Sequence, residues 1–275
     1  MSKPLVVIVS GANRGIGQAI CHGILALPHR ITLFAASRSG ADLAFSPSHG
    51  STVVYPKLDI TDEESIRALV ERVQREGGVD ALVNNAGVNL DNKYTLENAK
   101  TTLKTNYEGT LNMNRAFLPL VRASKGRIIN LSSVGSQLKP YSPAIQSRFR
   151  NVESLDEIQA LADEYISNVE ARNETDSGWG GPGRSYSVSK ALINAFTRVL
   201  ARQEEAQGSG VLVNCCCPGW VSTDMGALVG KPPKSPAEGA KIPLKLAFGD
   251  IQGVSGAYWA NDSISSTDDG KVQEW

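Results

Sequence analysis

Short apolar runs alternate along this chain with longer stretches whose apolar residues recur every three or four positions. Leu5 to Ser10, Ile31 to Ala36, Val53 to Leu58, Val79 to Asn84, Arg127 to Ser132 and Val211 to Cys217 are continuous runs rather than alternating ones. Strands buried on both faces of a parallel sheet need that pattern. Gly253 to Trp259 supplies a last predicted strand. Helices are predicted over Ile16 to Leu27, from Thr61 to Arg75, over Leu96 to Arg122 and over Tyr186 to Gln207. Thr61 and Glu64 have the spacing of a capping box, and Gly77-Gly78 marks the far end of that helix. No segment repeats with a fixed period. This order of elements predicts an α/β fold: one doubly wound, Rossmann-type parallel sheet with helices on both faces, spanning residues 1–275 as a single domain.

Composition narrows the function by exclusion. The apolar fraction of 41% is ordinary for a globular domain. Lysine plus arginine and aspartate plus glutamate balance at 28 each, so no net basic field points to nucleic acid or a membrane surface. The apolar run after Met1-Ser2-Lys3-Pro4 is too short for a signal peptide, and no later stretch reaches the length of a membrane span. A cytoplasmic protein is therefore expected. Cys215, Cys216 and Cys217 are consecutive and Cys21 stands alone, a spacing that suits neither a disulfide framework nor a metal site. They read as small core residues in a reducing compartment, with a reactive thiol at Cys217, beside the Pro218-Gly219 turn, left open. No metal is expected.

Chemistry enters at the first turn. Ser10-Gly11-Ala12-Asn13-Arg14-Gly15-Ile16-Gly17 places three glycines between a strand and a helix. Glycine allows a tight turn and close backbone approach to a pyrophosphate, while the helix start offers free amides and a positive dipole end. Further motifs follow in order: Asn84-Asn85-Ala86-Gly87 after the fourth strand, Asn106 in the next helix, Ser133 past Asn130-Leu131-Ser132, Tyr186-Ser187-Val188-Ser189-Lys190, and Pro218-Gly219-Trp220-Val221-Ser222-Thr223-Asp224. Taken alone, a Tyr-x-x-x-Lys pair is more often an exposed helix pair and Asn106 a surface polar residue. The ordered set, covering nearly the whole chain, resembles the short-chain dehydrogenase/reductase family.

The resemblance implies an oxidoreductase that transfers hydride between a nicotinamide cofactor and a carbonyl. Tyr186 would be the general acid for the carbonyl oxygen. Lys190, four residues on and so on the same helix face, would lower the tyrosine pKa and hold the nicotinamide ribose. Ser133 would hydrogen-bond the carbonyl oxygen, and Asn106 would hold a water linking Lys190 to solvent. The expected cofactor site comprises Gly11, Asn13, Arg14, Gly15, Ile16, Gly17, Ser37, Arg38, Asp59, Ile60, Asn85, Ala86, Gly87, Tyr186, Lys190, Pro218, Gly219, Val221 and Thr223. Within it, Asp59 would meet the adenine amino group, Asn85 would shape the adenosine-ribose pocket and Thr223 would contact the carboxamide. The second strand ends in Ser37-Arg38, where an NAD-specific member usually carries an acid. Arg14 and Arg38 suit a 2′-phosphate instead, so NADPH is the cofactor expected. Trp220 either walls the substrate pocket or packs on its own loop, and Gly226 to Pro236 is expected to be a mobile lid.

Positions 134 to 185 separate Ser133 from Tyr186, where most of the family has about a dozen residues. That insert (about 139–184), Ser142 to Arg150 within it, Cys216 to Trp220 and the terminal Val272-Gln273-Glu274-Trp275 resemble the animal monomeric carbonyl reductases, and plant menthone and salutaridine reductases carry a comparable insert. Ser154 and Glu157 suggest a capping box for an insert helix bearing Leu155, Ile158, Leu161, Ala162, Tyr165 and Val169 on one face. Folded onto the Tyr186 helix, that face would cover the surface dimerising relatives use, so a monomer is expected. A new interface made by the insert is the alternative. The function expected is NADPH-dependent reduction of ketone, aldehyde or quinone carbonyls. The rival readings are a non-catalytic NADPH-binding regulator and an NAD-linked alcohol dehydrogenase.

Overall fold

The computed structural model describes residues 3–275. Eight strands make one sheet: β1 (Leu5–Ser10), β2 (Ile31–Ala36), β3 (Thr52–Val54), β4 (Ala81–Asn84), β5 (Arg127–Leu131), β6 (Leu212–Cys216), β7 (Tyr258–Ala260) and β8 (Lys271–Gln273). Their spatial order is β3-β2-β1-β4-β5-β6-β7-β8. All pairings are parallel except the last, where β8 returns antiparallel to β7. Every residue of β2 and β4, and all of β1 after Leu5, is buried, as continuous apolar runs require.

One face is covered by α1 (Gly15–Leu25) and α8 (Pro236–Phe248), which pack on each other. The other carries α2 (Glu63–Gln74), α3 (Leu96–Leu103), α4 (Thr110–Ser124) and α7 (Ser185–Ala206). Each face closes its own apolar core, one around Val7, Ile20, Leu33 and Ile242, the other around Ile8, Phe117, Phe196 and Val213. No helix among the described residues is long and apolar enough to cross a membrane.

Several boundaries move. The third strand is only three residues long, and Ser37 and Lys57 extend its pairing as an isolated bridge. The α2 cap is Asp62, whose Oδ1 accepts from Glu64 N at 3.0 Å. Thr61 donates its hydroxyl to Asp59 instead, at 2.7 Å, so the expected Thr61 capping box does not form. The expected long helix from Leu96 to Arg122 is interrupted by a π-helical segment, Lys104–Gly109, that contains Asn106. α8 starts in a full capping box between Ser235 and Glu238.

The insert folds as α5 (Pro143–Asn151) and α6 (Leu155–Ala171). Ser154 caps α6 through Glu157 N at 3.2 Å, but Glu157 bonds back to Glu153 N rather than to Ser154. Ile158, Leu161, Ala162, Tyr165 and Val169 are all buried, and α6 packs against α3 and α7. Trp179, fully buried, gathers Tyr141, Phe149 and Tyr165 around it, and Trp275 completes the cluster against Phe149. Aromatic pairs of this kind each contribute about 0.5–1.5 kcal/mol beyond the area they bury. Arg198 and Arg202 of α7 donate to the carbonyls of Phe149 and Val152, both at 2.7 Å, satisfying the end of α5.

A polar ladder crosses the apolar core beneath α4 and α7. Asn84 and Asn130 are register partners on β4 and β5, and Asn84 Nδ2 donates to Asn130 Oδ1 at 2.9 Å. Asn114 of α4 exchanges hydrogen bonds with Asn130, which also donates to Thr197 of α7 at 3.0 Å. The four side chains are almost wholly buried, and only Asn84 Oδ1 stays without a partner.

Candidate active site

β1 and β4 end side by side, and the chain leaves them in different directions. Ser10 Oγ accepts from Asn85 N at 3.0 Å and Ala86 N at 3.1 Å, tying the two strand ends together. Asn85 Nδ2 donates to Ser10 O at 3.0 Å and Gly11 O at 3.1 Å, so its side chain braces the glycine turn. Its side chain thereby holds the shape of the turn expected to border the adenosine ribose. Two glycines there have steric reasons. A Cβ on Gly17 would lie 2.2 Å from Gly11 O, and Gly15 has φ +56 with Thr223 Cγ2 2.9 Å from its Cβ position. Thr223, 208 positions later, is thereby seated against the turn. α1 has no side-chain cap at Arg14, so its first amides are left free to meet an anion. Asn13 and Arg14 are exposed and Ile16 is half-buried at this opening.

Beyond the end of β2, Ser37 is buried, and its hydroxyl accepts from Gly40 N at 3.2 Å. Arg38 is exposed and forms no salt bridge among the described residues. Arg14, by contrast, pairs with Asp224 at 2.6 Å, with both side chains largely exposed. Asp59 accepts from the hydroxyl and N–H of Thr61, and these bonds hold its carboxyl below the usual range. Ile60, buried beside it, packs against Gly109.

The four residues expected to do chemistry converge on the crevice between β4, β5 and α7. Ser133 begins the turn after β5, and Tyr186 and Lys190 lie on the first two turns of α7. The Ser133 hydroxyl accepts from Gly135 N at 3.1 Å and lies beside the Tyr186 ring, both within 4 Å of the Gly135 Cβ position. The Lys190 ammonium is 5.6 Å from the centre of the tyrosine ring and donates to Leu131 O at 2.7 Å. Burial pushes the phenol up to about 12, and the nearby Ser133 hydroxyl pulls it back. Tyr186 as a whole is half-buried. Burial lowers Lys190 to about 8. Burial thus moves the phenol in the direction opposite to the lowering expected from Lys190.

Asn106 is fully buried in the π segment. Its Oδ1 accepts from Val88 N and its Nδ2 donates to Val88 O, both at 2.8 Å, and to Ser189 Oγ at 3.0 Å. Both amide hydrogens are thus spent on the scaffold. Gly87 permits this packing, since its Cβ position lies 3.0 Å from Asn106 Oδ1 and 3.8 Å from Lys190 Nζ.

The loop after β6 closes the site. Pro218 and Val221 are buried, Gly219 has φ +86, and Thr223 Oγ1 accepts from Gly226 N at 3.0 Å. Trp220 Nε1 donates to Gly226 O at 2.9 Å and its ring faces Gly230, so the tryptophan packs on its own loop. Within the expected lid, Val229 is 71% exposed, whereas Lys234 is buried and pairs with Val221. All four cysteines are free and buried. Cys217 Sγ accepts from Val134 N at 3.0 Å and Gly219 N at 3.3 Å, and burial pushes its thiol up, which is the opposite of an activated thiol. Among the described residues no cluster of acids, histidines and cysteines could hold a metal ion.

A model of the family described as short chain dehydrogenase matches residues 5–144 and 178–233, leaving out most of the insert. Carbonyl reductase [NADPH] 1 of Sus scrofa is 35% identical over 289 residues, covering 100% of this chain and 95% of that protein. Among solved structures, salutaridine reductase from Papaver somniferum superposes with a TM-score of 0.81 at 26% identity, over 94% of this chain and 99% of that one. Menthone neomenthol reductase from Mentha piperita gives 0.78 at 26% identity, with the same coverage.

The buried lysine yields a direct test. Side-chain NMR of the protein should show Lys190 losing its proton near pH 8, against about 10.4 for a free lysine, with the signal removed in Lys190→Met. Titration near the free value would mean that the ammonium is not desolvated.

Proposed function

The chain belongs to the short chain dehydrogenase family, and from that premise we propose that it is an NADPH-dependent carbonyl reductase acting on ketones, aldehydes or quinones. The observation that carries this is the meeting of the Ser133 hydroxyl, the Tyr186 phenol and the Lys190 ammonium at one crevice, beside an uncapped helix start. Full-length similarity to proteins named for NADPH-dependent carbonyl reduction supports it.

The crevice suits NADPH by its own chemistry. The free amides of α1 would take the pyrophosphate, in the turn that Gly11, Gly15 and Gly17 keep open. Arg38, exposed and unpaired, would take the 2′-phosphate, and Arg14 could join it by leaving Asp224. Asp59 and Ile60 would border the adenine. Ala86 and Gly87 would lie under the adenosine ribose, Lys190 and Tyr186 at the nicotinamide ribose, and Pro218, Gly219, Val221 and Thr223 at the nicotinamide. When bound, NADPH supplies the hydride. Tyr186 would hold the proton that the carbonyl oxygen takes as negative charge builds on it, and Ser133 would donate a hydrogen bond to the same oxygen. A phenol raised by burial stays protonated at neutral pH, as a proton donor must. The ammonium of Lys190 favours the phenolate left after transfer.

We also read the chain as one domain, 1–275, that carries its insert at 139–184, and as a cytoplasmic monomer. Four free thiols agree with a reducing compartment. α6 covers α3 and α7, the surface on which pairing of two copies would otherwise depend.

Solution measurements test these readings. With a panel of quinones, aromatic aldehydes and terpenoid ketones, NADPH consumption should be seen for the wild type. Tyr186→Phe should lose about a hundredfold or more in kcat while NADPH affinity stays within a few-fold; a tenth of the rate remaining would remove Tyr186 as the acid. Arg38→Asp should cost about tenfold or more in kcat/KM for NADPH, one charge-assisted bond being worth roughly 1.5–3 kcal/mol. Equal wild-type kcat/KM for NADH and NADPH would contradict the phosphate site. Light scattering over a dilution series should give a mass near 29.4 kDa, and a stable mass near twice that would overturn the monomer.

A further inference from the structure

Tyr186 is the second residue of α7, a place where a helix frays because first-turn amides have no partner within it. α7 lacks a cap of its own: the preceding residue, Arg184, makes no capping side-chain bond. The partner comes from elsewhere in the chain. Asp91, at the start of a short 3-10 turn (Asp91–Lys93) past β4, accepts from Tyr186 N at 3.0 Å through Oδ2. Burial pushes its carboxyl above the usual range, while the Tyr186 N–H and the neighbouring Ser185 and Arg184 pull it back.

The segment that carries Asp91 is itself pinned. Asn106 holds Val88 by two hydrogen bonds of 2.8 Å, and its Nδ2 reaches Ser189 Oγ at 3.0 Å. Ser189 Oγ donates in turn to Tyr186 O at 2.7 Å. The connections form a closed ring, from Asn106 through Val88 to Asp91, across to the N–H of Tyr186, and from its carbonyl through Ser189 back to Asn106. The peptide groups on either side of the Tyr186 Cα are both held. The ring also receives the insert, since Tyr165 of α6 hydrogen-bonds Ser185 at 3.2 Å and Glu174 accepts from Tyr94.

We propose that Asp91 is a positioning residue, a cap supplied from the β4 side that fixes the first turn of α7 and with it the phenol of Tyr186 against Ser133. The requirement is geometric. Lys190, a full turn deeper, is anchored independently on Leu131 O, so fraying would move the phenol and leave the ammonium in place. Misplacement of a reacting group by about 1 Å can cost about a hundredfold in rate. The proposal rests on Tyr186 being the proton donor.

The test compares full-length Asp91→Ala and Asp91→Asn with wild type and Tyr186→Phe, measuring kcat with a carbonyl substrate, NADPH affinity by fluorescence, melting temperature and deuterium uptake over residues 184–188. Asp91→Ala should lower kcat about tenfold or more while NADPH affinity stays within about threefold, and should speed uptake over 184–188. Asp91→Asn keeps an acceptor oxygen and should recover most of both losses. If Asp91→Ala does not fold, Asp91→Ser, whose hydroxyl is too short to reach, takes its place with the same expectation. The proposal is overturned if the truncated variant keeps kcat within about twofold, if affinity falls in step with kcat, or if Asp91→Asn loses as much as the truncation. Should Tyr186→Phe keep its rate, the proton-donor reading fails first; should it lose its rate while Asp91→Ala does not, only the role of Asp91 falls.

Discussion

The site exists because β4 pairs with β1 on the side away from β2. From that point the crossovers of β1 and β2 go one way and those of β4 and β5 the other. The space above the adjoining carboxyl ends therefore stays open. All later features of the crevice depend on those two strand ends being held at contact distance by Ser10 and Asn85. A side chain at Gly17 would push into the carbonyl of Gly11 and open that contact. Sequence bias toward glycine there has a steric origin, and the uncapped start of α1 follows from it, because the turn enters the helix with its amides turned to the opening.

Much of this was legible in the chain because strands buried on both faces leave continuous apolar runs: β1, β2, β4, β5 and β6 fall where such runs lie. Elements that were not read have identifiable reasons. β3 is an edge strand with exposed and half-buried residues, so its apolar run overstated it. The π segment at Asn106 inserts no unusual residue, and its signal is a tertiary demand for Asn106 to face Val88. α5 and α8 both begin Ser-Pro, at Ser142-Pro143 and Ser235-Pro236, a start signal that could have found them. In the candidate site, the motif order picks out Ser133, Tyr186 and Lys190, which the fold brings to one crevice. What spacing could not reveal is which partner each polar side chain already has: Arg14 faces Asp224, Ser37 bonds Gly40, and Asn106 and Asn85 serve the backbone.

The insert is integrated by chemistry different from that of the sheet. Its helices have ordinary amphipathic faces, but Trp179, Phe149, Tyr141 and Tyr165 form an aromatic centre that reaches Trp275 beyond β8. The arginines of α7 terminate α5, and Arg198 also lies over the Trp275 ring. α7 is thus shared: its start carries the candidate chemistry and its middle holds the insert. Rigidity of the insert and precision at Tyr186 are properties of the same helix.

The asparagine ladder has a consequence for how one structure is chosen over its near neighbours. β4 and β5 are apolar on both sides, so sliding one past the other by a residue would exchange one buried hydrophobic side chain for another at little cost in burial. Oiliness alone cannot penalise that error. The Asn84–Asn130 pair can, because it meets Asn114 and Thr197 in only one alignment, and any slip strands several amides in a medium without water. The ladder acts as a key for the sheet: polar atoms in the driest part of the molecule reject misthreaded alternatives that the surrounding hydrocarbon would accept.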